Sequence, residues 1–242
     1  MSSLERDRIF ALIGRIYDAA LDAGVWPEVV RSIGELQDSD KSLLLTSLHS
    51  PKDGGFAFPV GIPESAMQQW ADRYVQHDEW SKVIVEKKLY VEGRVMTDEE
   101  FLPYEELLRS FWYREFLSRI DIARVCTGIV FGTESPGVLP TAISVYRGVN
   151  GQAYGKRERE VHRILVPHLS RSLGIMFRLR DAELRVAATL AALDRLAAGI
   201  VLIGARRVVV FPNLSARRIL ADEDGLRLHR SEERRVGKEC RL

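Results

Sequence analysis

Apolar residues recur at three- and four-residue steps near the start of the chain. Ile9, Leu12, Ile13, Ile16, Tyr17, Ala20 and Leu21 fall on one stripe and predict an amphipathic helix. Gly24 ends that helix, and Pro27 suits the first turn of a second, whose buried side is Val29, Val30, Ile33 and Leu36. The run "KSLLLTSLHS" then reads as a strand, and "PKDGG" turns it into a second, "FAFPV", as a hairpin. Met67, Trp70, Ala71 and Tyr74 mark another amphipathic helix. Leu107, Leu108, Phe111, Trp112 and Phe116 mark one more after the turn at Pro103. Two β-rich runs follow, "ARVCTGIVFG" and "LPTAISVYRG", joined by the Gly- and Pro-containing "TESPG". Helices, two strands, helices and two strands predict an α+β domain with one antiparallel sheet and flanking helices.

From Lys156 to Leu196 the pattern predicts one long helix, roughly 60 Å at the α-helical rise. Val161, Leu165, Leu169, Met176, Leu179, Val186, Leu190 and Leu193 trace a near-heptad seam, interrupted by Glu183, and Pro167 is expected to bend the helix near its start. A helix of this length needs a partner for its stripe. Its N-terminal half is expected to pack on the preceding domain, and its C-terminal half to form a parallel dimer seam. After it, "GIVLIGARRVVVFPNLSARRIL" reads as strand, tight turn, strand and helix, with Asn213 or Ser215 as the helix cap. Two strands and one helix cannot bury both faces of a sheet, so this segment is expected to borrow a surface or stay marginal.

The totals narrow the function classes. The chain has 242 residues, 35 basic and 34 acidic, so no net field draws it to nucleic acid or to a membrane. No apolar run approaches the ~18 residues of a membrane span, and the acidic, polar start is unlike a secretory signal. A cytoplasmic setting follows as the expectation. Cys126 and Cys240 suggest neither a disulfide framework nor a metal site, and both are expected to be reduced thiols. His162 and His168 stand six residues apart, which excludes the one-turn spacing of a zinc helix. A phospho-accepting role for His168 lacks the adjacent acid such sites carry. There is no phosphate-cradling loop and no nucleophile elbow. Asp98, Glu99 and Glu100 read as the first turn of a helix, favoured by its dipole. No catalytic residue, metal ligand or cofactor is assigned.

The segments "IYDAALDAGVWPEVVRSIGEL", "PYEELLRSFWYREFL", "VPHLSRSL" and "LAALDRLAAGIVLI" resemble, in that order, the sensor half of bacterial LuxR-type transcriptional regulators. The run from Gly199 resembles the opening of a PAS domain. The resemblance implies a GAF-like or autoinducer-domain-like sensor over 1–154, a signalling helix over 155–197 and the start of a PAS-like β-β-α module over 198–229. It also implies a homodimer through the 155–197 helix, a small lipophilic signal, and DNA as a partner only through a helix-turn-helix domain expected to be missing from this chain. In autoinducer-binding domains a Trp, a Tyr four residues later and a following acid line the pocket, and the acid receives the ligand amide. In "WADRYVQHDEW", Trp70 and Tyr74 match that spacing; Asp78 and Trp80 stand in "DEW" where the family commonly has Asp-Pro-Trp. Phe111 and Trp112, with Tyr113 and Phe116, supply a second apolar wall. Plain aromatic core packing accounts for the same spacings. The sensor half of a histidine kinase or cyclase, or a dimerisation module that senses nothing, would share the pattern.

The last stretch, "RSEERRVGKECRL" from Arg230, has no apolar face and resembles a translated sequencing adapter. It is expected to be non-native. It holds five basic and three acidic residues; without it, 30 basic face 31 acidic.

Overall fold

The computed structural model describes residues 3–46, 55–205 and 208–222. The "PKDGG" turn up to Gly54, Cys240 and the stretch from Arg230 lie outside the described residues.

Helix α1 (Ser3–Leu21) buries Ile9, Leu12, Ile16, Ala19 and Ala20. Leu21, placed on the stripe by its spacing, is 80% exposed, because one helical step past Ala20 turns it about 100° away from the buried face. The Asp22 carboxylate accepts from the amide of Gly24 at 2.9 Å and starts a short 3-10 turn. Pro27 then occupies the first turn of α2 (Trp26–Glu35), where its missing N–H costs nothing.

One antiparallel sheet of five strands follows, in the order β2-β1-β5-β4-β3. Its members are β1 (Lys41–Thr46), β2 (Ala57–Val60), β3 (Val95–Thr97), β4 (Arg124–Phe131) and β5 (Thr141–Arg147). The expected hairpin is the β1–β2 pair, and the two β-rich runs are β4 and β5. Strand β3 has no counterpart in the sequence reading. Its three residues are too few to show a period of two, and pairing with Cys126, Thr127 and Gly128 makes them a strand.

Register sorts the sheet into two faces. Leu43, Ser144, Thr127 and Met96 are opposite neighbours across four strands and share one face. Ser42, Val145, Cys126 and Thr97 share the other. That second face carries α1, α2 and the first part of α8 (Lys156–Asp194). Gly128 marks how closely α8 approaches, since a Cβ there would lie 2.5 Å from Val166 Cγ2. Helix α8 buries Val161, His162, Leu165, Val166, Leu169, Leu173 and Met176. The Ser172 hydroxyl donates to the Ile16 carbonyl, and Trp26 Nε1 donates to Met176 Sδ at 3.3 Å. The helix runs on as one element through Pro167.

On the first face lie α3 (Glu64–Gln69), α4 (Glu79–Glu86), α5 (Asp98–Phe101), α6 (Tyr104–Arg109) and α7 (Phe111–Glu115). Two departures from the periodic reading occur here. The helix through Trp70 widens to a π-turn over Trp70–Tyr74, where the Val75 amide bonds back five residues to the Trp70 carbonyl. The single helix expected after Pro103 is two, broken at Ser110. Ser110 is extended, and its hydroxyl accepts from the Tyr113 amide at 3.0 Å, so it caps α7 rather than continuing α6.

The described chain divides into two compact units between Met176 and Phe177, inside α8. The second unit contains the end of α8, the antiparallel pair β6 (Val201–Ile203) and β7 (Val209–Pro212), and α9 (Leu214–Ala221). Asn213 caps α9 by accepting from the Ala216 amide at 2.9 Å.

Candidate functional site

Between the first sheet face and its helices lies a cavity of about 520 Å³. Leu43 and Leu45 of β1, Val125 and Thr127 of β4, and Ala142, Ser144 and Tyr146 of β5 form its floor. These are the alternate residues that the pleat turns to one side. Trp70, Trp80, Ile84, Trp112 and Phe116 stand over them, and the exposed Val75, Gln76, Lys82, Val85 and Glu86 form a rim. An apolar cavity of this size, with a few polar groups, is the ordinary form of a small-molecule site.

Five of the eight residues that the sequence offered for a pocket line it: Trp70, Asp78, Trp80, Trp112 and Phe116. Tyr74, Phe111 and Tyr113 do not. Tyr74 ends the π-turn, and its ring stacks on Phe116 at 4.8 Å. The break at Ser110 sets α7 so that Trp112 is buried while Phe111 is 51% exposed, its ring 5.0 Å from His77.

Asp78 ends a 3-10 turn and is the N-cap of α4. Its Oδ1 accepts from the Ser81 amide at 2.9 Å; its Oδ2 accepts from the Ser81 hydroxyl at 2.9 Å and from Trp70 Nε1 at 3.2 Å. Burial raises its pKa above the usual carboxylate value, and the bonds from Ser81 and Trp70 offset part of that rise. The matched Trp and acid are therefore bonded to one another. Trp80 and Trp112 meet edge to face with ring centres 5.0 Å apart, and Trp80 stacks on Tyr146 at 6.3 Å. The indole nitrogens of Trp80 and Trp112 are buried with no acceptor among the described residues. Thr127 and Ser144 bond each other through their hydroxyls at 2.8 Å, and burial raises the Tyr146 phenol pKa.

The floor residues were not singled out in advance. The alternation in β4 and β5 shows that Thr127, Ser144 and Tyr146 lie on one face, but not which face adjoins a cavity. No histidine or cysteine lines the cavity among the described residues. Cys126 and His162 belong to the opposite face. There the Cys126 thiol, its Sγ 3.7 Å from His162 Nδ1, is pushed up to about 12 by burial, far from a nucleophile's range. No group of three potential metal-ligating side chains occurs among the described residues, and no helix there is long and apolar enough to cross a membrane.

No protein-family model and no curated protein matches the chain. Among solved structures, the VqsR LBD domain from Pseudomonas aeruginosa superposes with a TM-score of 0.53 at 10% identity, over 70% of this chain and 96% of that one. The chain shares its fold with that domain. CepR2 from Burkholderia cenocepacia, an N-acylhomoserine lactone dependent LuxR family transcription factor, matches at 0.45 with 9% identity, over 69% of this chain and 98% of that one. A GAF domain from Pseudomonas syringae pv. tomato matches at 0.45 with 14% identity, over 74% and 95%.

Proposed function

We propose that this chain is the sensory part of a LuxR-type transcriptional regulator. A lipophilic small molecule occupies the cavity over the sheet, and α8 carries the consequence to a DNA-binding output that is not among the described residues. The single observation behind this reading is the cavity itself: about 520 Å³, walled by aromatic and aliphatic side chains, on the sheet face that α8 does not occupy. The fold shared with the VqsR LBD domain and the ordered sequence segments support the same assignment. The chain acts as a homodimer through the C-terminal part of α8 in the cytoplasm, as a binding protein and not a catalyst. For the ligand to signal, its affinity must differ between two arrangements of the chain.

The test is thermal unfolding of the full chain with medium-chain acyl compounds, together with mass spectrometry of the native protein for a copurifying molecule. Ala142 is on the cavity floor, so Ala142→Phe should fill the space. Acyl compounds are expected to raise the Tm of the parent chain by several degrees, as saturating ligands do, and to leave Ala142→Phe unmoved. No copurifying molecule and no Tm shift with any lipophilic probe would refute the assignment.

A further inference from the structure

We propose that the ligand is a lipophilic carboxylate, with its chain in the cavity and its head at the mouth, on the Lys82 ammonium. This rests on the ligand-binding reading above and names the class of ligand.

The side-chain donors inside the cavity are already committed to the chain itself. Trp70 Nε1 and the Ser81 hydroxyl both donate to Asp78. On the floor, the Thr127 hydroxyl lies 3.3 Å from the Ile143 carbonyl and 2.8 Å from the Ser144 hydroxyl, and Ser144 bonds Tyr146 in turn. Protons ordered from Tyr146 to Ser144, Ser144 to Thr127 and Thr127 to Ile143 satisfy all three hydroxyl donors. Tyr90 is not free either, and the indole nitrogens of Trp80 and Trp112 are closed off from the cavity. A ligand oxygen brought inside would lose its water and gain no donor, and a charged one would lose most. The mouth differs. Gln76 there donates to the Arg73 carbonyl at 3.3 Å. Lys82 has no ion pair among the described residues, although Glu86 stands one turn further along α4. It is exposed, and it is the one basic side chain among the described residues that line the cavity. A lysine so placed lays its stem along the apolar wall and keeps its ammonium in water. A long-chain acid complements both parts. Its chain leaves water for the cavity, and its carboxylate stays solvated beside a cation.

The experiment compares dissociation constants of the full chain at neutral pH for decanoate and methyl decanoate. A head buried among the floor hydroxyls would make the acid bind about a hundredfold more weakly than its ester, the cost of a desolvated charge. With the head at the mouth, decanoate is expected to bind at least as tightly as the ester. Lys82→Gln should weaken decanoate about threefold, the size of an exposed ion pair, and leave the ester unchanged. An ester that binds the parent chain more tightly than the acid overturns the inference. So does a Lys82→Gln variant that weakens both probes alike, which would reduce Lys82 to stem packing, or one that weakens neither. Each of these results leaves the cavity reading intact. If neither probe binds the parent chain, both readings fall. Should the variant fail to fold, the two affinities of the parent chain still decide.

Discussion

His162 is a fully buried side chain between α8 and the sheet, and its Nδ1 donates to Gln37 Oε1 at 2.9 Å. Gln37 is held in turn by donating its own amide to the Ile33 carbonyl. Burial lowers the His162 pKa from 6.5 to about 4, so the folded chain keeps it neutral where the unfolded chain takes up a proton. The folded value lies below the unfolded one. Its contribution to stability is therefore complete above pH 6.5 and is lost as pH falls towards about 4. Across that window the parent chain should lose on the order of 3 kcal/mol more than His162→Gln. Urea midpoints of the two proteins measure it, because other acids that titrate there cancel in the difference. A constant difference would show that His162 does not titrate with folding. From its spacing alone this residue was an ordinary histidine, packed or solvated. Only the approach of α8 to Gly128, where no Cβ intervenes, decides that it is packed.

At the scale of elements, local chemistry sets most boundaries. Asp22, Asp78, Ser110 and Asn213 each cap the turn or helix that follows. Asn213 does more than cap. Its side chain accepts from the amides of Ile200 at 2.8 Å and Ala216 at 2.9 Å, and donates to the carbonyls of Leu193 and Ala198, both at 2.9 Å. One buried amide group thus ties together the end of α8, the entry to β6 and the start of α9. Asn213→Ala should cost on the order of 3 kcal/mol within the second unit. Amide exchange is expected to accelerate in β6, β7 and α9 and to stay unchanged in β4 and β5. Equal acceleration in both regions would mean that the units unfold together. The sequence allowed either Asn213 or Ser215 as the cap. Ser215 instead donates its hydroxyl to the Leu196 carbonyl at 2.7 Å.

At the scale of the molecule, the apolar stripe of α8 is used in two ways. Up to Met176 it is buried against the domain that precedes it. Beyond, Leu179 and Val186 of the same stripe are 42% and 58% exposed. Isolated exposed apolar residues are ordinary, but a helical seam of them needs cover. The dimer proposed above supplies it. Val186→Glu, which puts a charge in that seam, should turn a dimer into a monomer at micromolar concentration in sedimentation equilibrium. A parent chain that is already monomeric at that concentration would remove the dimer from the account.

The sequence by itself determined what depends on neighbours along the chain. The α+β order, the β1–β2 and β4–β5 strands, the extent of α8 and the candidate helix caps all follow from period, Gly and Pro positions and cap chemistry. Tertiary structure alone decided what depends on elements far apart in sequence. It made a strand of Val95–Thr97, turned Trp112 inward and left Phe111 outside, and closed Trp70 onto Asp78. It also chose which face of β4 and β5 meets α8 and which meets the cavity. The reason is geometric. Spacing gives a side chain its direction on an element, but whether that direction meets a packed neighbour, solvent or an unfilled space is settled by whatever the rest of the chain brings there.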